Sequence, residues 1–326
     1  MKTTLVLCLL LTSCAQPSAK PKIRIAILSG AVAQLHIYIA KHLGFFEREG
    51  LDVHLEEMSS TGKTMEALVG GSVEIGASTY EQTVQVAAKD RGIKSFFVLF
   101  TSANIVLTVA AGRPQINKVA HLKGRMVGVT SLGSASQNYL SLMLIRNGMT
   151  LADVTPVAIG AAASAIAAVE NAKVDAAMLT SLTFETLRGR RPEITVLFDA
   201  RTAEGTTALF GVPHIPIVAV ASSSRWLLQN PDIARRVVRA LTRAGRWIQE
   251  HPAEEVAANM PESFRPPGSD APLKALRLAL PAYSVDGRMP PDGPAAVLAY
   301  LKVAVDPSLN VDLSKTYTNE YLEGKP

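Results

Sequence analysis

The sequence predicts an α/β fold of two similar lobes. Three observations carry that prediction: a βαβ pattern near the N-terminus, a weak internal repeat offset by about a hundred residues, and two apolar, β-rich runs suited to crossing between lobes. With 326 residues, 48% hydrophobic and 19% charged, the chain has ample apolar material for two cores, and no segment has a disordered composition.

The first residues stand apart from that globule. Lys2 precedes the apolar run Leu5 to Leu11, too short to span a bilayer but suited to a signal h-region. The run ends in Leu11-Thr12-Ser13-Cys14, similar to a bacterial lipobox, in which the cysteine becomes the acylated first residue after cleavage. Residues 1–13 are therefore expected to be a lipoprotein signal peptide, with Cys14 the lipid (palmitate) attachment site. Residues 14–21 then form a tether holding the protein on the periplasmic or cell-surface side of a membrane. Cys8 leaves with the leader and Cys14 carries lipid, so the mature domain offers no thiol nucleophile, disulfide or cysteine-ligated metal. The formal net charge of +5 falls by one when Lys2 leaves. That surplus fits an anionic membrane or ligand nearby and lacks the clustering of a nucleic-acid binder.

Ile23, Ile25 and Ile27 alternate as a strand, Ser29-Gly30-Ala31 breaks it, and Ile37, Ala40 and Leu43 return at helical spacing. Gly44 ends the helix, Phe45 and Phe46 pack beneath it, Glu49-Gly50 turns, and Leu51, Val53 and Leu55 alternate again. A further strand is expected over Val73 to Ala77. The same order recurs downstream. KIRIAIL (Lys22 to Leu28) answers KGRMVGV (Lys123 to Val129), EREGLDV (Glu47 to Val53) answers RNGMTLADV (Arg146 to Val154), and EALVGGSVEIGA (Glu66 to Ala77) answers IAAVENAKVDAA (Ile166 to Ala177). An acid, Glu74 or Asp175, stands near the start of the last strand in each half.

Phe96 to Ala111 and Ile215 to Ala221 are the expected hinge strands, placing residues 22–108 with 218–326 in the first lobe and 109–217 in the second. Pro231 opens a long helix with the apolar stripe Ile233, Val237, Leu241, Ala244 and Ile248. Its other face carries Arg235, Arg236, Arg239, Arg243 and Arg246, expected to be solvated, the alternative being a docking surface for a membrane partner. Pro261 to Pro272 and Pro281 to Pro294 are expected as loops around one more helix, before a polar tail.

Ligands of open α/β sheets bind beyond the strands' carboxyl ends. The sharpest candidate is Thr130 to Gln137, four hydroxyls and a glycine at a strand-to-helix turn, with Ser131, Gly133, Ser134 and Ala135 as expected contacts. Its counterpart supplies Gln34, His36 and Tyr38. The other strand ends supply Ser78, Thr79 and Tyr80 together with Thr180 and Ser181, and the crossings supply Asn104 and His214. No catalytic signature is present: no G-x-S-x-G elbow surrounds Ser134, no Gly-Lys-Ser/Thr loop occurs, and the six histidines never fall at metal-ligand spacing. Neither a metal nor a cofactor is expected.

Ala40 with Gly44-Phe45-Phe46, Glu49-Gly50-Leu51-Asp52-Val53, Ala67-Leu68 with Gly71, Val73-Glu74-Ile75-Gly76, Leu122-Lys123-Gly124 with Gly128, and Val174-Asp175-Ala176 together carry a resemblance over nearly the whole mature chain. In these residues the sequence resembles the substrate-binding proteins of ABC importers for nitrate, taurine, alkanesulfonates and thiamine-pyrimidine precursors. The motifs are scaffold signatures and do not name the ligand. The resemblance implies a type II periplasmic-binding-protein fold. It also implies a monomer that captures a small organic solute, anionic or carbonyl-bearing, and delivers it to an ABC permease with its ATPase subunits. Two alternatives share the scaffold: a pyrimidine- or menaquinone-pathway enzyme, and a ligand-sensing lipoprotein. Pyrimidine synthases of this type are typically Cys-rich and cytosolic, unlike this chain.

Overall fold

The computed structural model describes residues 20–265 and 268–322; the expected signal peptide, Cys14 and most of the tether lie outside them. Strand β1 (Lys22–Leu28) leads through a 3-10 turn, Val32–Gln34, into helices α1 (Leu35–His42) and α2 (Phe45–Arg48). Gly44 joins these two helices at φ 70°, a left-handed conformation that favours glycine. The chain continues through β2 (Asp52–Met58), α3 (Thr61–Val69), β3 (Ile75–Thr79), α4 (Tyr80–Ala87) and β4 (Ile93–Phe100). It then crosses to β5 (Ile105–Val109), β6 (Met126–Val129), α5 (Ala135–Arg146), β7 (Thr155–Ala158), α6 (Ala162–Glu170) and β8 (Ala176–Thr180). Helix α7 (Ser181–Arg190), β9 (Val196–Asp199) and α8 (Ala203–Phe210) follow, and β10 (Val218–Ser223) returns.

Two five-stranded mixed sheets result, ordered β2-β1-β3-β10-β4 and β7-β6-β8-β5-β9. The orders are the same once the repeat is applied: three parallel strands, an antiparallel strand arriving from the other lobe, and a fifth at the edge. The repeated acids do the same job in both halves. Glu74 accepts the Arg24 backbone N–H at 2.8 Å and Asp175 the Met126 backbone N–H at 3.0 Å, each acid also binding an arginine side chain, Arg24 or Arg113.

The first crossing comes earlier than the expected boundary after residue 108. Ile105–Val109 pairs with β8 and β9 in the second sheet, leaving Thr101–Asn104 as the connection. Apolar content alone cannot divide a continuous β-rich run between two sheets; pairing partners do that.

After α9 (Ser224–Gln229), helix α10 (Pro231–Glu250) returns to the first lobe and packs its stripe on α1 and α2. Val237, Leu241, Ala244 and Ile248 are fully buried, whereas Ile233 is only half-buried at the rim. The arginine face is solvated, as expected, with Arg235, Arg243 and Arg246 exposed, while Arg239 and Arg243 also reach Glu49 at 2.7 and 3.4 Å and Arg236 reaches Asp232 of the same helix at 2.6 Å. Helices α11 (Ala253–Ala258), α12 (Ala271–Ala279) and α13 (Gly293–Ala304) complete the described chain. The last was not expected, because Pro294 reads as a loop residue; in the first helical turn its missing N–H costs nothing. Helix α13 lies against α4 of the first lobe and α5 of the second, and α12 lies against α7.

Where α10 meets α1, Gly245 leaves no space. A Cβ there would lie 2.8 Å from the Ser284 carbonyl oxygen and 2.9 Å from His36 Nε2. Gly245→Ala is expected to cost about 1–3 kcal/mol by overpacking, despite alanine's better helix propensity. Thermal unfolding checks this; an unchanged or raised midpoint would refute it.

Candidate functional site

The carboxyl ends of β1, β3, β6 and β8 meet between the lobes, where they enclose an inner cavity of about 90 Å³. A neighbouring cavity of about 280 Å³ adjoins it between Ser29–Ala31 of the first lobe and Ala161–Ala163 of the second. The expected contacts divide sharply on their placement.

Thr79, Asn104, Ala135 and Thr180 line the inner cavity. The Thr79 hydroxyl is buried with no hydrogen-bond partner among the described residues. Asn104 adopts φ 52°, and its backbone oxygen accepts the Ser181 N–H at 3.2 Å. Gln34 also borders the cavity, but its amide is spent on the scaffold: Oε1 accepts the Leu28 N–H and Nε2 donates to the Ala77 oxygen, both at 2.9 Å, tying β1 to β3.

His36, Tyr38 and Tyr80 do not line the cavity. Their helices begin at the strand ends, but the side chains face the core of the first lobe. His36 contacts the Ser284 carbonyl at 2.6 Å through Nε2 and lies edge-on to Phe97 and Tyr283; burial lowers its pKa to about 4, so it is neutral. Tyr38 packs edge-on against Phe264, and the Tyr80 hydroxyl meets Thr316 at 2.5 Å. Ser78 donates its hydroxyl within the first lobe, Ser181 is buried outside the cavity lining, and His214 is exposed.

The hydroxyl-rich turn is largely self-contained. Thr130, Ser134 and Ser136 form a triangle with oxygen separations of 2.9–3.0 Å, and Ser134 also donates to the Ser131 oxygen at 2.6 Å. Ser131, Gly133 and Ser134 therefore close the turn that enters α5, with Ser134 at the N-cap position and its hydroxyl spent within the turn, while Thr130 and Ser136 line the cavity with Ala135. Side-chain direction at a turn decides which hydroxyls reach a ligand, and residue type alone does not carry that direction.

Most of the wall is apolar, including Leu28, Val32, Ile105, Leu182 and Ile217, together with the ring of Tyr139. Sequence reasoning also missed Glu81, which links a helix of the first lobe to one of the second. Asn138 Nδ2 on α5 donates to Glu81 Oε1 on α4 at 2.9 Å. Burial raises the Glu81 pKa to about 8, while hydrogen bonds from Asn138 and Tyr139 act in the opposite direction. An acid in the first turn of a helix ordinarily signals dipole stabilisation, which conceals this role in the sequence.

Among the described residues no group of His, Cys, Asp and Glu could hold a metal ion, and no helix is long and apolar enough to cross a membrane.

Residues 33–255 match the family model described as NMT1/THI5 like. A protein of known structure from Bordetella bronchiseptica RB50 is 30% identical, with a TM-score of 0.86 over 94% of this chain and 97% of that one. The alkanesulfonate-binding protein SsuA from Xanthomonas axonopodis pv. citri, solved bound to MOPS, is 17% identical, with a TM-score of 0.72 over 93% of this chain and 99% of that one. The riboflavin-binding protein RibY of Chloroflexus aurantiacus is 24% identical over 96% of this chain and 90% of its own length.

Proposed function

The chain belongs to the NMT1/THI5-like family, and from that premise we propose that it is the extracytoplasmic solute-binding protein of an ABC importer. It captures a small organic solute, anionic or carbonyl-bearing, between its lobes and delivers it as a monomer to a permease with its ATPase subunits. One observation carries this reading: the cavity is walled by strand ends of both sheets and lies beside the first crossing, so a bound solute touches both lobes. A ligand that contacts both lobes favours the closed arrangement by its differential affinity for that state. The crossings at Thr101–Asn104 and Pro213–Ile217 then act as the hinge.

Binding without turnover fits the lining. Tyr139 is the one ionisable side chain on the inner cavity among the described residues, and burial holds its hydroxyl well above the usual range, a poor acid or base near neutral pH. The lipobox-like Leu11-Thr12-Ser13-Cys14 supports anchoring through acylated Cys14.

The test is small-angle scattering of protein stripped of co-purifying solute, with and without the solute identified by mass spectrometry. Contraction on binding is expected; a bound solute that leaves the scattering unchanged would refute capture by closure. Anchoring is checked by fractionation, with Cys14→Ser expected to leave the membrane fraction. Retention of that variant would refute the lipid anchor.

A further inference from the structure

We infer that the cleft selects an uncharged solute, apolar over most of its surface and presenting an amide or carbonyl edge to Thr79 and Asn104. This inference rests on the solute-binding reading and narrows it. No lysine, arginine, aspartate, glutamate or histidine lines the inner cavity among the described residues. In the adjoining cavity the charged side chains are Glu170 and Arg190, which face one another at 3.5 Å.

An anion can also be held by backbone N–H groups at helix N-termini; α4, α5 and α7 begin at the inner cavity and α6 at the adjoining one. Here many of those donors are already spent. The Tyr80 N–H donates to the Ile217 oxygen at 3.0 Å and the Ser181 N–H to the Asn104 oxygen at 3.2 Å. The Thr130, Ser131 and Gly133 N–H groups donate to side chains of their own turn, Ser136, Ser134 and Gln137, at 2.9–3.4 Å. At the end of β1 the Leu28 and Ser29 N–H groups are bonded to Gln34 and to the Met58 oxygen. An anion entering the inner cavity gives up its hydration without a compensating side-chain charge, which is unfavourable.

A neutral solute meets a different balance. Apolar walls favour its apolar surface. Thr79, a buried residue of the lining whose hydroxyl has no partner among the described residues, and the Asn104 side chain, which has no hydrogen bond among the described residues, supply a donor and a donor–acceptor pair to a solute that reaches them. A buried group without a partner disfavours the empty cleft and favours a ligand that satisfies it.

The experiment is isothermal titration of the stripped full-length protein with thymine, caprolactam and nicotinamide on one side, and methanesulfonate and nitrate on the other. Binding of at least one amide is expected, insensitive to salt between 20 and 500 mM (about one Debye-length regime to another), with no heat from the anions. Thr79→Val and Asn104→Ala should each weaken that amide by about fivefold to tenfold. Thr79→Val keeps the shape and removes an unsatisfied hydroxyl, so a thermal midpoint that is unchanged or raised, not lowered, should accompany its weaker binding. Binding of methanesulfonate or nitrate, silence with all three amides, or amide affinity unaffected by both substitutions would overturn the inference. Those outcomes leave the solute-binding reading standing; it fails separately, in the scattering experiment.

Discussion

Glu81→Gln is expected to stabilise the protein at pH 8 and to change it little at pH 5. The buried carboxyl has a pKa of about 8 against an ordinary value of 4.5, so between those values the folded protein holds a proton that the unfolded chain has lost. Stability therefore falls as pH rises through this window and levels off above about 8. Glutamine mimics the protonated acid and keeps the link to Asn138 without that cost. The gain at pH 8 is on the order of 4 kcal/mol at its upper limit, from 1.36 kcal/mol per pH unit. Because the Glu81–Asn138 hydrogen bond spans the lobes, closure from an arrangement that hydrates Glu81 also takes up a proton. Solute affinity should then weaken with rising pH in the native protein and not in the variant. Chemical denaturation at several pH values, with parallel titrations of solute, checks both expectations. Equal pH slopes for the two proteins would refute the assignment.

Arg201→Met is expected to destabilise the second lobe by about 3–5 kcal/mol, because it leaves a buried acid without its partner. Arg201 reaches Glu185 at 2.5 Å and Asp199 at 2.6 Å, and its guanidinium lies 4.7 Å from the centre of the Phe184 ring. Arg201 and Glu185 are both buried, whereas Asp199 is partly hydrated and contributes less to the loss. The cluster adjoins the first crossing, where the Ser102 hydroxyl meets the Arg201 backbone oxygen at 3.2 Å. Adding Glu185→Leu should restore much of the stability, since an apolar pair in a buried site avoids the desolvation cost of two charges. Denaturant unfolding of the single and double variants decides this. A loss under about 1 kcal/mol in Arg201→Met would show that the cluster is hydrated and weak.

Much of the scaffold was legible because it rests on local and periodic signals. Alternating isoleucines marked β1, Gly44 marked a helix end, and the paired segments marked two equivalent sheets. The repeated acids Glu74 and Asp175 stood out because a shared structural task leaves a shared residue. The site was legible only at its strand ends. Residues next to those ends form one group along the chain, yet Thr79 lines the cavity while Ser78 and Tyr80 face the protein. Successive strand residues point to opposite faces, and the helix that follows rotates each residue by a further step.

The sequence alone determined the two-lobed α/β class, the order of the repeat and the apolar stripe of α10, all of which arise from spacing along the chain. The tertiary structure alone decided that β5 belongs to the second sheet, that His36 is a neutral core residue, and that Glu81 meets Asn138 across the lobes. These depend on contacts between residues far apart in the chain, and spacing along the chain does not encode which distant groups share a desolvated space. The same applies to the cavity: its uncharged, largely apolar wall is assembled from residues of both sheets.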